Sequence, residues 1–251
     1  MCTTCGCSGS EHTHQHAHDH HHHHDHGVDS IKLEQAILAA NDQYAHANRE
    51  VLSAKNALAF NFVSSPGSGK TSLLEKTIAK LHAEHTIVVV EGDQQTEIDA
   101  NRIRKAGAKA YQINTGKACH LDAHMVGHAY EHLDIQENSF VFIENVGNLI
   151  CPAMFDLGEK HRIAVISVTE GDDKPLKYPD MFYHADTVII NKTDLLPYVD
   201  FSVERCIENI RKIRRDIRFF ELSVKTEEGF DNWLNWLTSL ITEVTHFRKK
   251  L

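Results

Sequence analysis

From residue 57 onward the chain alternates short runs of β-branched or aromatic residues with amphipathic stretches of helical period. The runs near 58–63, 86–91, 109–113, 140–144, 163–168, 187–191 and 218–222 are predicted strands, and the stretches near 70–83, 96–106, 121–133, 202–216 and 229–247 are predicted helices. This alternation predicts an α/β fold, a mostly parallel seven-stranded sheet flanked by helices, with a ligand site outside the carboxyl ends of the strands. Ahead of it, Leu33, Ile37, Ala40, Tyr44, Ala47 and Val51 recur at alternating intervals of four and three. That spacing predicts one long helix within residues 30–56, its apolar stripe leading into the domain and Asp29 or Ser30 as its cap.

Residues 1–29 break with this pattern, because they hold almost nothing to bury. They carry Cys2, Cys5 and Cys7, then His12, His14, His16, His18, His20, His21, His22, His23, His24 and His26, interleaved with Asp, Gln and Ala. The composition predicts a disordered, metal-binding tail before a single globular domain over 57–251. Twenty histidines in 251 residues exceed what a core needs, and the six cysteines cluster as metal ligands do rather than as a disulfide framework. The formal charge of −9 argues against nucleic acid held on a basic surface. Apolar runs such as 87–90 and 163–166 are too short to cross a bilayer, and the polar N-terminus has no secretory apolar region, so a cytoplasmic protein with no membrane partner is expected.

Two loops carry the candidate nucleotide chemistry. Ser64-Ser65-Pro66-Gly67-Ser68-Gly69-Lys70-Thr71-Ser72 follows an apolar strand and opens a helix, the setting of a P-loop NTPase, although Ser64 stands where the usual pattern has glycine. Gly67, Ser68 and Gly69 would let backbone N–H groups surround phosphate oxygens, Lys70 would reach the β- and γ-phosphates, and Thr71 would bind Mg2+. Asn191-Lys192-Thr193-Asp194 ends a later strand, where the Asp194 carboxylate would accept from guanine N1–H and the 2-amino group; adenine offers no such pair. Ser223, Val224 and Lys225 end another strand and are expected near the guanine O6. Asp93 and Glu144 are expected to hold Mg2+, directly or through water, and with Lys70 to form the catalytic set, while the Gly147 N–H senses the γ-phosphate.

A second constellation suits a softer cation. Cys119-His120 and Cys151 offer thiolate and imidazole for Ni2+ or Zn2+, an incomplete sphere that a dimer would complete. The plainer alternative makes both cysteines small buried hydrophobes and His120 a helix cap. Cys206 reads as core. The thiols of Cys2, Cys5 and Cys7, with backbone or terminal nitrogen, could form a planar set favouring Ni2+ or Cu2+. Because Cys151 closely follows the Glu144–Gly147 segment, nucleotide state could alter both metal affinity and dimer contacts.

With CxxCxC, the His-rich tail, SSPGSGKT, EGDQQTEIDA, GKACHLDAHM, ENVGNLICP, DDKPLKYP and NKTDLLP in order, the chain resembles the HypB family of hydrogenase nickel-insertion GTPases over essentially its full length. The resemblance implies a Mg-dependent GTPase of low intrinsic turnover in the signal-recognition/MinD-type (SIMIBI) class, and a homodimer promoted by GTP. It implies nickel delivery to the [NiFe]-hydrogenase large-subunit precursor with a HypA-type zinc-binding accessory protein. It makes Cys2, Cys5 and Cys7 the tail nickel ligands, Cys119, His120 and Cys151 the G-domain metal site, and the His tract a nickel store. Lys174, in DDKPLKYP, is expected near the nucleotide or the dimer seam. A urease-type nickel-insertion GTPase and a nickel store with a vestigial GTPase remain the alternatives.

Overall fold

The computed structural model describes residues 26–93, 97–116 and 118–248, with side chains described within 31–245. The chain divides into two units, 1–39 and 40–251. What is described of the first is wholly helical, with Ile31, Leu33 and Ile37 exposed. The second holds the sheet.

Seven strands, β1 (Leu58–Ser64), β2 (Ile87–Asp93), β3 (Lys109–Asn114), β4 (Phe140–Glu144), β5 (His161–Ser167), β6 (Thr187–Asn191) and β7 (Arg218–Glu221), form one sheet in the order β3-β2-β4-β1-β5-β6-β7. Every pairing is parallel. The connections wind away from β1 on one side through β4 and on the other from β5, so the loop after β1 opens at the switch point of the sheet, where doubly wound folds bind ligands. All seven strands fall where the hydrophobic runs predict them. β5 starts earlier than its apolar run, because its first two residues are polar yet held: His161 faces Asp186, and Arg162 is bonded to Glu159.

Alternation along β1 sorts the core. Phe60 and Phe62 pack with Leu73, Leu74 and Ile78 of α2 (Lys70–Leu81) and Trp233 and Leu237 of α9 (Phe230–Arg248) on one face. Ala59 faces the other way, toward Leu52 of α1 (His26–Ala54) and Val126 and Ala129 of α4 (Ala123–His132). Over the β5 and β6 half, Ile166 and Ile190 pack with Phe182 of α7 (Pro179–His184) and Ile210 of α8 (Val203–Ile213). The remaining helices are α3 (Ile98–Ala106), α5 (Cys151–Met154), α6 (Lys174–Lys177) and a 3-10 helix, Thr193–Tyr198. The short helices α5, α6 and α7 each start on a proline at one of their first positions, where its missing N–H costs nothing. One to two turns carry too little periodicity to be read from sequence.

Helix α1 departs from expectation twice. It begins at His26, so Asp29 and Ser30 lie inside it rather than at its cap. Within residues 40–54 the expected stripe does not face the domain: Tyr44 and Val51 are exposed, and the buried positions are Asn41, Ala45, Asn48 and Leu52. The reason is polar. Asn48 Nδ2 donates to Ala123 O (2.8 Å) and Leu157 O (2.9 Å), while Asn41 donates to Asp156 O (2.7 Å) and accepts from Ala123 N (2.9 Å). Two asparagines that satisfy otherwise buried backbone groups select the face that hydrophobicity alone would turn outward.

Candidate functional site

The loop after β1 lines a cavity of about 560 Å³ together with Glu91, Gly92 and Asp93 of β2, Asp99 and Arg102 of α3, Glu144 to Gly147, and Lys192. Pro66 to Ser72 form its floor. Gly67 and Gly69 sit at φ +77° and +100°, a backbone that side-chain-bearing residues rarely adopt, and a Cβ on Gly69 would fall 2.5 Å from Asn191 Nδ2. Lys70 is buried at the start of α2, and its Nζ donates to Ser64 Oγ at 2.7 Å. Ser64, the departure from the usual P-loop pattern, thus supplies the lysine's acceptor. Burial pushes the Lys70 ammonium below its ordinary pKa, against the pull of Glu144, Asp99, Glu91 and Glu170.

Thr71 Oγ1 donates to Glu144 Oε1 at 2.7 Å. Burial raises the pKa of Glu144, and that of the adjacent Glu91 to about 8, first by desolvation and then by the Glu144 charge. Glu91 and Glu144 are register partners on neighbouring strands, and each leaves one buried carboxylate oxygen without a hydrogen-bond partner. A hard divalent cation takes such oxygens, so Thr71, Glu144 and the nearby Asp93 fit Mg2+. Glu91, Asp99 and Arg102 also line this cavity, and sequence reasoning missed them. Glu91 opens the EGDQQTEIDA motif two residues before Asp93, whereas Asp99 and Arg102, three apart on α3, gave no signal beyond an ordinary helical ion pair. Arg102 is bonded to Asp99, Glu75 and Ser72 Oγ.

The Asn191–Asp194 loop is joined to the P-loop directly. Asn191 Nδ2 donates to Ser68 O (2.9 Å) and Lys192 Nζ to Gly67 O (2.7 Å). Asp194 Oδ1 accepts from Ser223 Oγ at 2.7 Å, so the two loops expected to read the base meet. The Val224 N–H is directed at Asn191 Oδ1 (3.3 Å). Gly147 abuts the P-loop: a Cβ there would lie 3.2 Å from the Pro66 backbone. Lys174 and Ser65 both bond Glu170 Oε2, which places Lys174 one carboxylate away from the P-loop.

Cys119, His120 and Cys151 come together, with their potential ligand atoms all within 4.8 Å of one another. All three are half-buried. Cys119 Sγ is 3.6 Å from His120 Nδ1, and the His120 ring stacks on Phe155 with centroids 4.0 Å apart. Burial lowers the His120 pKa despite Asp122, favouring the neutral imidazole that a metal ligand requires. The thiolate and imidazole set suits Ni2+ or Zn2+. Cys206 is buried among Phe182, Ile210 and their neighbours with its thiol pushed up to about 12, as a core cysteine should be. Cys2, Cys5, Cys7 and the tail histidines His12 to His24 lie outside the described residues, as does the side chain of His26.

Comparison with known proteins gives a consistent answer. The profile of the CobW/HypB/UreG nucleotide-binding domain matches residues 58–221. The chain is 57% identical over 207 residues to the hydrogenase maturation factor HypB of Azotobacter vinelandii, covering 82% of this chain and 68% of that one. Among solved structures, HypB from Helicobacter pylori in complex with nickel superposes with a TM-score of 0.77 at 41% identity, covering 81% of this chain and 96% of that one. HypB from Archaeoglobus fulgidus gives 0.76 at 41% identity, over 81% and 100%.

Proposed function

This chain belongs to the CobW/HypB/UreG family of P-loop nucleotide-binding proteins, and on that premise we propose that it hydrolyses GTP to govern the binding and release of nickel during [NiFe]-hydrogenase maturation. The observation that carries the proposal is the short run from Glu144 to Cys151. Its first residue holds Thr71 in the nucleotide cavity and its last belongs to the thiolate and imidazole cluster. One segment therefore serves both chemistries.

In this reading the P-loop N–H groups and Lys70 bind the triphosphate, and Lys70 neutralises the charge that develops as the γ-phosphoryl leaves. Thr71, Glu144 and Asp93 hold Mg2+, which supplies electrostatic stabilisation when bound. Asp194, oriented by Ser223, selects guanine. Gly147 reports the γ-phosphate, and Cys119, His120 and Cys151 hold the nickel or zinc ion. A second copy of the chain completes the metal's sphere in a dimer that GTP promotes, and intrinsic turnover is low. The Cys2, Cys5 and Cys7 thiols and the histidine tract accept and store nickel. Together with a HypA-type zinc-binding accessory protein, the chain delivers it to the hydrogenase large-subunit precursor, in the cytoplasm. Among the described residues no helix is long and apolar enough to cross a membrane.

Phosphate release from GTP by the full chain, with Mg2+ and with the metal chelated, tests the enzymatic half. Mg-dependent release that Lys70→Ala lowers by roughly 100-fold or more, a loss typical of removing a charge aimed at the transition state, is expected. Unchanged release in Lys70→Ala would reject this site. The storage alternative is rejected by nickel release that follows nucleotide state.

A further inference from the structure

Asn145, immediately after β4, is buried, and its side-chain amide makes three hydrogen bonds. Its Oδ1 accepts from Val146 N at 3.0 Å and from Leu121 N at 3.1 Å, and its Nδ2 donates to Asn61 Oδ1 at 3.3 Å. Val146 precedes Gly147, which touches the P-loop at Pro66. Leu121 follows His120 of the metal cluster, and its side chain packs on Gly92, where a Cβ would lie 2.8 Å away. One amide thus clamps the backbone beside the γ-phosphate position to the backbone beside a metal ligand.

A second branch leaves through Asn61. Its Nδ2 donates to Glu159 Oε1 (3.1 Å), which also accepts from Arg162 Nε (2.8 Å). Arg162 then donates to Ala153 O (2.7 Å) and Phe155 O (2.8 Å), at the end of the helix that begins at Cys151. Because the Phe155 ring stacks on His120, the two branches meet again at the metal cluster. The circuit is closed and lies largely in the interior. Opening either acceptor bond of Asn145 leaves a buried backbone N–H unpaired, so a displacement of Val146 is transmitted to Leu121 in preference to being absorbed.

The geometry points to Asn145 as the positioning residue through which nucleotide state sets metal affinity at Cys119, His120 and Cys151. This rests on the proposed nucleotide and metal roles of those sites and names how one regulates the other. Asn145 itself touches neither ligand. Its two acceptor bonds carry the change to His120, and the Asn61–Glu159–Arg162 branch carries it to the Cys151 helix.

The test uses the full chain in a nickel buffer, so that the tail does not deplete the free ion. Protection of the Cys119 and Cys151 thiols from alkylation is read peptide by peptide by mass spectrometry, with GDP and with a non-hydrolysed GTP analogue. In the parent, the nickel concentration giving half-protection is expected to differ between the two nucleotides by at least about fivefold, the low end of ordinary coupling between sites. Asn145→Ala should bring the two values within about twofold of each other while both nucleotides still bind; Asn145→Asp, which keeps the acceptor, should retain more of the difference. Asn61→Ala cuts only the second branch and should reduce the difference partway; it also carries the test should Asn145→Ala not fold. Variants that bind nucleotide and keep the full difference overturn the role of Asn145 alone. A parent with no difference overturns the proposed nucleotide control of the metal, and this inference with it.

Discussion

Ser223 donates its hydroxyl hydrogen to Asp194 Oδ1 at 2.7 Å, and the same hydroxyl accepts from Thr226 N at 3.1 Å. The carboxylate proposed to read the base is therefore oriented by the loop after β7, not left to rotate at a strand end. Asp194→Asn keeps the shape and one acceptor but replaces the other with a donor. GTP affinity should fall on the order of 10- to 100-fold, the equivalent of about 1.5–3 kcal/mol for one hydrogen bond to a charged group. Xanthosine triphosphate, whose 2-oxo group accepts that donor, should bind better than GTP. Competition of the two nucleotides for the variant measures the switch.

The proposed metal site at Cys119, His120 and Cys151 predicts that Cys119→Ala or His120→Ala removes one bound metal ion without removing the nickel proposed for the N-terminal tail. Metal content of the purified chain after dialysis against buffered nickel reads this directly. Equal stoichiometry in parent and variants would reject the cluster as a site.

Glu227 bridges two lysines of α2, with Oε1 2.6 Å from Lys76 Nζ and Oε2 2.7 Å from Lys80 Nζ. Those two bonds hold its carboxyl down to about 2, below the ordinary value of 4.5. A folded-state pKa below the unfolded one gives stability that is present above the unfolded value and lost as pH falls through the folded one. The contribution therefore disappears between about pH 4.5 and pH 2. Acid unfolding of Glu227→Gln should be less steep across that window, and the parent's advantage should shrink in high salt, because the bridge is exposed.

Asn48 joins α1 to the start of α4 and to the loop before β5. Asn48→Ala leaves the Ala123 and Leu157 carbonyls without that donor in a buried seam, and should cost about 2–4 kcal/mol, the range of a lost buried hydrogen-bonding group plus a small cavity. Denaturant unfolding would show it as a lower midpoint at unchanged slope.

The strands were legible because each is a short apolar run bounded by turn residues, and the P-loop because its glycines have fixed backbone duties and its lysine a fixed side-chain one. The face of α1 was not. Its hydrophobic spacing pointed to Leu33, Ile37, Tyr44 and Val51, while the docking of its second half is decided by Asn41 and Asn48, whose partners are backbone groups remote in sequence. The same limit hid Arg102 and Asn145. What a polar side chain bonds in a folded interior depends on which loops the fold brings beside it, and no periodicity encodes that. The grouping of Cys119, His120 and Cys151 was legible by residue type, but the Phe155 stacking on His120, and the Asn145 clamp between Leu121 and Val146, became visible only in three dimensions.

The central claim, that hydrolysis at the P-loop governs metal held at Cys119, His120 and Cys151, is tested most directly by a single turnover of GTP on nickel-loaded full chain. Phosphate release and Cys151 alkylation would be sampled in the same reaction, with an apo chain as control. The account predicts that Cys151 becomes reactive with the rate constant of phosphate release, and only in the loaded sample. Complete phosphate release with Cys151 as protected as at the start would contradict it.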